Sequence, residues 1–174
     1  MKYRLVVWAA LLSNVALADR LDADNDRRAS RTSITVTING LTCSTSAGAG
    51  AFNAKTWSWG AANSVSSGGG GSAVGRVSFR ELAVTKALDS CSPALFRAVS
   101  TGTFFRTLTL TQQDVSGTIV AQLDMKDVLV TSWGVGGNAH DPSPDEAVTF
   151  SFSEACVVSG PNRVCYDVRL GRVT

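Results

Sequence analysis

Apolar and polar residues alternate along much of the chain after its N-terminal segment, and this period of two is typical of β-strands. In the first such stretch, Ile34, Val36 and Ile38 alternate with serine, threonine and asparagine. The same alternation returns in several later stretches, among them 55–60, 104–112, 118–125, 128–133 and 147–152. The pattern therefore predicts a mainly β protein with about seven or eight strands.

Turn signals and a change of phase refine this prediction. Asp114–Gly117 precedes the strand at 118–125, and Ser159-Gly160-Pro161-Asn162 separates the last two strands, so both places are predicted hairpins. Within 76–86 the apolar phase changes near Arg80–Glu81, which we interpret as a β-bulge in one long strand.

A single segment carries helix signals. Ser92 is a candidate N-cap, Pro93 stands at the first helical position and Gly102 follows the end. The apolar residues of this segment fall on one face: Leu95, Phe96 and Val99. Many short strands with one amphipathic helix argue for a closed barrel or a sandwich.

The segment 61–75 is rich in glycine and serine and is interpreted as a long loop. It lacks the G-K-[ST] ending of a phosphate-binding loop, so it predicts no nucleotide site. Such a loop has little apolar content of its own, and ordering it requires an external surface, which a second copy of the chain can supply. The predicted contact residues of this homo-oligomer are Ser66, Gly68, Gly69, Gly70, Gly71 and Ser72.

The N-terminus has the three parts of a secretory signal. Two basic residues precede the apolar run Leu5–Leu12, and Ala16-Leu17-Ala18 has the small-x-small pattern of a cleavage site. The run is shorter than the ~20 residues that a membrane-spanning helix needs. We therefore predict a signal peptide over residues 1–18 and a secreted or periplasmic chain that begins at Asp19.

Residues 19–32 show no apolar periodicity and are predicted to be a flexible arm before one domain at 33–174. Asp22-x-Asp24-x-Asp26 resembles the start of a calcium-binding loop. Arg27 and Ser33 stand where that loop needs glycine and glutamate, so the motif is interpreted as part of the polar arm.

Charge excludes two classes of partner. The chain has 16 basic and 14 acidic residues, and removal of Lys2 and Arg4 with the signal leaves 16 − 2 = 14 of each. A net charge of zero predicts neither nucleic-acid binding nor association with an anionic membrane.

Four cysteines in an exported chain predict two disulfides. A four-residue loop at 159–162 would place Cys156 opposite Cys165, within disulfide range, and leave Cys43 to pair with Cys91. The phases of the two strands then require a bulge near Ser153–Ala155.

Catalytic and binding chemistry is sparse. His140 lies in a turn-rich loop without a nucleophile motif, so it is interpreted as a surface residue. No spacing singles out a carboxylate pair, and the glutamates are assigned to a solvated face: Glu81, Glu146 and Glu154. Three tryptophans could form a sugar-stacking platform or pack in the core: Trp57, Trp59 and Trp133. The sequence predicts no enzyme, no cofactor and no metal site.

An ordered set of motifs resembles the Hcp family, the tube proteins of type VI secretion systems. The resemblance covers about residues 33–155 and is centred on Lys86-x-x-Asp89-x-x-Ser92-Pro93. The other matching segments are Thr56-Trp57-Ser58-Trp59-Gly60, Gly75-Arg76-Val77-Ser78-Phe79, Leu123-Asp124-x-x-Asp127-Val128-x-Val130-Thr131-Ser132 and Glu146-Ala147-Val148-Thr149-Phe150-Ser151-Phe152.

This resemblance implies a closed β-barrel with one packed helix and a long loop that reaches a neighbouring subunit. It further implies a ring of six copies, stacking into tubes, and partners among spike, sheath and effector proteins of a secretion system. The signal peptide makes this chain an exported, Hcp-like structural protein. The alternative function is a secreted monomeric binding module without catalysis, with carbohydrate as its candidate ligand.

Overall fold

Fourteen β-strands and one α-helix form the described part of the chain, which in this computed structural model comprises residues 32–68, 71–140 and 143–174. The predicted signal peptide, the acidic motif at Asp22–Asp26 and the arm before Thr32 lie outside these residues. The elements are β1 (Ser33–Ile38), β2 (Ser44–Thr45), β3 (Gly48–Ala49), β4 (Ala51–Ala54), β5 (Thr56–Ser58), β6 (Ala61–Gly68), β7 (Gly71–Phe79), β8 (Leu82–Ala87), α1 (Ser92–Thr101), β9 (Phe104–Gln113), β10 (Ile119–Gly136), β11 (Asp145–Ser151), β12 (Glu154–Ser159), β13 (Asn162–Asp167) and β14 (Arg172–Val173).

Ten of the strands form one antiparallel sheet around β10. On one side β10 pairs with β9, which continues to β1 and β4. On the other side β10 pairs with β12 and then with β11, which continues to β8 and β5. The prediction of a mainly β protein with one helix is therefore confirmed.

The sheet of the described residues is not closed into a barrel, so the closed barrel expected from the resemblance is not confirmed. Its two limbs end in β4 and β5, which are separated only by Lys55. β4 pairs with β1 and β5 pairs with β8, and the Lys55 N–H donates to the carbonyl of Thr85 at 2.7 Å. The strand changes its neighbour at this residue, so no single ladder runs round the sheet.

β10 is one strand of 18 residues where two separate strands were predicted. It passes through Asp127, whose φ of 48° lies in the left-handed region. The predicted hairpin between β9 and β10 is confirmed, and Asp114 holds its turn by accepting hydrogen bonds from the N–H groups of Ser116 and Thr118.

The core consists of inward residues from alternate positions of the strands, as the period of two requires. The largest fully buried apolar side chains include Phe52, Leu82, Leu95, Leu108, Leu110, Met125 and Phe150.

Helix α1 lies on this core through Ser92, Leu95 and Ala98, which are buried. The expected apolar face is wrong at Phe96, which is 53% exposed, because the buried stripe follows a spacing of three residues. Cys91, not Ser92, is the N-cap, and the helix ends as predicted at Gly102 in the left-handed conformation.

The region 40–53 is rich in small residues and glycine, which predicts a loop, but it contains β2, β3 and most of β4. Gly50 connects β3 to β4 with a φ of +65°, and its N–H and C=O bond to Cys43 and Ile38. A Cβ atom at this position would lie 2.8 Å from the carbonyl oxygen of Ile38.

We expect Gly50→Ala to destabilise the protein by roughly 2–4 kcal/mol, since it combines a left-handed φ with a backbone clash. Gly102→Ala is the matched control, because Gly102 has a φ of +62° but open space around a Cβ atom. Its cost should be about 1 kcal/mol. Urea unfolding of both variants measures the difference, and equal losses would contradict the role of the Ile38 carbonyl.

The C-terminal hairpin has the predicted register with a shorter turn. Cys156 pairs with Cys165, but Ser159 also pairs with Asn162, so the turn has two residues and not four. The expected bulge near Ser153–Ala155 is absent. The pairing of β11 with β10 stops at Ser151 and that of β12 begins at Glu154, and the register against β10 is the same on both sides of this gap.

Two disulfides are present, and they join the pairs expected from the sequence. Cys43 and Cys91 have Cα atoms 5.0 Å apart and connect the loop after β1 to the start of α1. Cys156–Cys165 joins β12 to β13.

Candidate functional site

The segment expected to be a loop is a β-hairpin. β6 and β7 pair with each other from Ala61↔Phe79 to Gly68↔Gly71 and form a sheet of their own. The predicted strand 76–86 is accordingly two strands, and Arg80–Glu81 marks the passage from the hairpin to β8, not a bulge. Backbone hydrogen bonds hold this hairpin where apolar alternation is lacking, so the sequence pattern did not reveal it.

The predicted oligomer contacts lie at the end of this β6–β7 hairpin. Ser67 pairs with Ser72 and Gly68 with Gly71, and Ser66 lies one position before them. Gly69 and Gly70 are outside the described residues. Within the described part of the chain neither β6 nor β7 pairs with a strand of the main sheet. Each strand therefore has one hydrogen-bonding edge that no other strand of the described residues pairs with.

Aromatic packing fixes the base of the hairpin. The rings of Trp59 and Phe79 stack at 5.9 Å, and both contact Phe152 edge-on. Phe79 also packs against Tyr166 at 4.9 Å between ring centroids. Phe79 belongs to the hairpin, whereas its aromatic partners lie in or next to strands of the main sheet. These contacts fix the base of the hairpin against the main sheet.

A bulge lies within the hairpin on β7, where two residues stand between the partners of Asn63 and Val65 and oppose Ser64 alone. Gly75 stands opposite, and a Cβ atom on it would lie 2.1 Å from Ser64 Oγ and 2.6 Å from the Ser64 carbonyl oxygen. The bulge therefore requires glycine at this position.

A buried ionic cluster joins the main sheet to α1. Lys86 takes the third inward position of β8, and its side chain is fully buried. Its Nζ lies 2.8 Å from Asp89 Oδ1 and 3.5 Å from Oε2 of Glu146, which is also fully buried. It further donates to Ser92 Oγ at 3.2 Å and to the Ala87 carbonyl at 2.9 Å. We call Lys86, Asp89, Ser92 and Glu146 the lysine cluster.

The lysine cluster explains the most specific motif of the sequence. Ser92 Oγ accepts the N–H of Asp89, and Asp89 Oδ1 accepts the N–H of Cys91, so the same residues that surround the ammonium shape the start of α1. Glu146 was assigned to a solvated face, and the structure corrects this, because it shares the inward phase of Val148 and Phe150. Its Oε1 has no hydrogen-bond partner in the described structure.

The three tryptophans do not form a common platform. The Trp57 indole donates to Gln112 at 2.9 Å, Trp59 belongs to the base of the hairpin, and Trp133 contacts Phe96 at 5.0 Å. All three pack against the core, so their faces are not presented together to a sugar.

The remaining candidates of the sequence are dispersed as well. His140 is exposed, and its backbone N–H donates to Asn138. Glu81 accepts a hydrogen bond from Thr131, and Glu154 forms an ion pair with Lys126. Within 32–68, 71–140 and 143–174, one group of side chains has the composition of a metal site, Glu154 with Cys156 and Cys165, but the two sulfurs are bonded to each other. In the same residues there is no helix with the length and hydropathy of a membrane span.

Comparison with known protein structures agrees with this fold. Hcp1 from Salmonella typhimurium aligns with a TM-score of 0.69 at 20% identity, over 82% of this chain and 99% of that one. A type six secretion system protein aligns with a TM-score of 0.73 at 17% identity, over 83% and 100%. A chain of the 6-fold symmetrised baseplate of the anti-feeding prophage aligns with a TM-score of 0.52 at 10% identity, over 76% and 95%. These identities establish the fold alone.

Curated protein sequences give no significant match. The family model described as "Type VI secretion system effector, Hcp" matches residues 31–157, which is most of the chain and includes the β6–β7 hairpin, the lysine cluster and α1. The chain therefore belongs to the Hcp family of type VI secretion system proteins.

Proposed function

We propose that the mature chain is an exported structural subunit that binds copies of itself through the β6–β7 hairpin and closes into a ring of six. The observation that carries this proposal is the hairpin with two unpaired edges on a fixed aromatic base. The rings would stack into tubes. Catalysis has no part in the proposal.

The physical argument concerns the stability of a two-stranded sheet. An isolated hairpin is at best marginally stable in water, and open strand edges are templates for pairing with another chain. A neighbouring subunit can cover such an edge by adding a strand or packing a face against it. In the proposed contact the hairpin binds a different part of the neighbouring subunit, so the contact is head-to-tail and can close into a ring.

The number six and the partner proteins come from relatives. The family resemblance implies six subunits, and the prophage baseplate structure in which one chain shares this fold is 6-fold symmetrised. Spike, sheath or effector proteins of a secretion system are the proposed partners. A closed barrel is the proposed state of the subunit, with β4 and β5 closing it on either side of Lys55.

We expect the mature protein to be an oligomer, and deletion of Ser66–Ser72 to convert it to a monomer, because the deletion removes the end of the hairpin. Size-exclusion chromatography with light scattering at micromolar concentrations measures the mass of both proteins. A monomeric wild type would reject the ring and favour the monomeric binding module. An unchanged oligomer after deletion would show that the contact lies elsewhere.

A point substitution tests the role of the hairpin without shortening the chain. Gly75→Val should weaken assembly, since its side chain would clash with the Ser64 backbone. Gly134→Val is the matched control, because Gly134 lies in β10 with open space around a Cβ atom. If both variants assemble like the wild type, the bulged hairpin is not needed for the contact.

Export is tested separately. We expect secreted or periplasmic material to begin at Asp19, because signal peptidase would cleave after Ala18. Intact mass measurement and N-terminal sequencing decide this, and an N-terminus at Met1 in exported material would contradict it. Replacing Ala16 and Ala18 by bulky residues should retain the signal on the chain.

A further inference from the structure

We propose that Cys156–Cys165 is a thiol-exchange site, at which a low-molecular-mass thiol opens the disulfide by attacking Cys165. In the same folded protein, Cys43–Cys91 resists exchange. The contrast rests on what surrounds the sulfur that must leave as a thiolate in each disulfide. It is independent of the proposed ring.

The two sulfurs of the proposed site differ in access. Cys156 is buried, with 1% exposure, whereas Cys165 on β13 is partly exposed. β13 lies near the edge of the main sheet, where only the short β14 follows it. A nucleophile from solvent therefore reaches Cys165, and Cys156 becomes the leaving group.

A cation contacts the leaving sulfur directly. Arg163 Nη2 donates to Cys156 Sγ at 3.2 Å, in a position to stabilise the thiolate. Thiol–disulfide exchange is faster when the leaving thiol has a lower pKa, and a neighbouring arginine lowers the pKa of a cysteine.

Three other charged groups lie around this contact. Glu154 Oε1 is 3.7 Å from Cys156 Sγ and opposes a thiolate, but Lys126 pairs with Glu154 at 2.8 Å. Asp124 forms an ion pair with Arg163. Of the two cations, Arg163 alone donates to the sulfur, so the two nearest groups have opposite and separable effects: Arg163 promotes departure and Glu154 hinders it.

The other disulfide has the same difference in access, but among the described residues no cation contacts its buried sulfur. Cys91 is fully buried in the apolar core, and Cys43 is its partly exposed partner. The Cys91 Sγ atom lies 3.5 Å from the carbonyl oxygen of Ala51, an acceptor that repels a thiolate. Attack on Cys43 would therefore release a thiolate in the apolar core, where no described cation donates to its sulfur, which is unfavourable.

The exchange proceeds in two balanced steps. A thiolate RS⁻ attacks Cys165 Sγ, an R–S–Sγ bond forms, and the electron pair of the broken Cys156–Cys165 bond leaves with Cys156 as thiolate. A second RS⁻ attacks the R-bearing sulfur of this mixed disulfide, which gives RSSR and the Cys165 thiolate. Two thiols are oxidised by two electrons in total, and the protein disulfide is reduced by the same two electrons.

The experiment exposes the native, fully oxidised protein to glutathione and stops the reaction with a rapid alkylating reagent. Peptide mapping then reports the labelling of each cysteine over time. We expect Cys156 and Cys165 to be labelled at least about tenfold faster than Cys43 and Cys91, with the glutathione adduct on Cys165. Equal rates, faster reduction of Cys43–Cys91, or an adduct on Cys156 would overturn the proposal.

Charge variants test the cause and guard against simple unfolding. Arg163→Gln should slow the opening several-fold, and Glu154→Gln should accelerate it. Arg169→Gln is the control, because Arg169 pairs with Asp127 away from the sulfurs. A variant that only loosens the hairpin would speed the reaction whichever charge was removed. Acceleration by both substitutions, or no change with either, would therefore refute the role of Arg163.

Discussion

Lys86→Met should lower the stability of the protein by about 3–5 kcal/mol, because it removes the cation that compensates a fully buried carboxylate. The side chain of methionine fills a similar volume, so the loss of charge is the main change. For a domain of this size the melting temperature should fall by on the order of 10 °C. Thermal unfolding followed by circular dichroism measures the shift.

Two further variants identify the cause of that loss. Lys86→Met/Glu146→Gln removes both buried charges and should recover part of the stability that Lys86→Met loses. Lys55→Met is the exposed control, because Lys55 and Asp145 form an ion pair with both side chains about half exposed. It should cost less than about 1 kcal/mol. Equal losses for Lys86→Met and Lys55→Met would show that the lysine cluster does not compensate buried charge.

Removal of the Cys43–Cys91 disulfide, as Cys43→Ala/Cys91→Ala, should cost about 4 kcal/mol. The two cysteines are 48 residues apart, and a cross-link over a longer loop restricts the unfolded chain more. Cys91 is also buried against the core, so the loss of its sulfur adds a packing term.

The second disulfide is the internal control. Cys156 and Cys165 are 9 residues apart, and by loop length alone their removal should cost about 1.5 kcal/mol less than that of Cys43–Cys91. Urea unfolding of both double variants at one temperature gives the comparison. A larger loss for Cys156→Ala/Cys165→Ala would show that loop length does not set the order.

The strands of the main sheet could be predicted wherever one face is apolar. Ile34, Val36 and Ile38 alternate with polar residues, and turn residues fixed the β9–β10 hairpin. The register of the last hairpin followed from the same logic, so Cys156 and Cys165 could be placed opposite each other without knowledge of the fold. These features can be predicted from the local pattern, since in a half-buried strand the polarity of a residue indicates whether it faces the core or the solvent.

The β6–β7 hairpin could not be predicted in this way. Most of its residues are small or polar, and the stretch 61–75 has too few apolar residues to show an alternating apolar face. Its length and glycine content made it a predicted oligomer contact, but they did not predict its conformation. The continuity of β10 through Asp127 could not be predicted either. In the sequence a polar aspartate between two apolar stretches is typical of a turn, and its positive φ is known only from the structure.

In the lysine cluster, the charge of Glu146 predicted the wrong face of the sheet for this residue. Glu146 has the same phase as Val148 and Phe150, and Lys86 the same phase as Leu82 and Val84. Their positions in the alternation predict that both side chains face the core, whereas the charge of Glu146 predicts a solvent-exposed side chain. Opposite charges on adjacent, directly paired positions of β8 and β11 resolve the conflict, and that pairing requires the topology of the sheet.

The position of Cys43–Cys91 in the chain has a consequence for proteolysis. Its two cysteines lie before and after the β6–β7 hairpin, so the hairpin belongs to a covalently closed loop. A protease that cut the chain between β6 and β7 would leave both fragments joined through sulfur and through the strands of the main sheet. Such a nicked subunit would migrate as an intact chain in a denaturing gel until a reductant separated the two pieces.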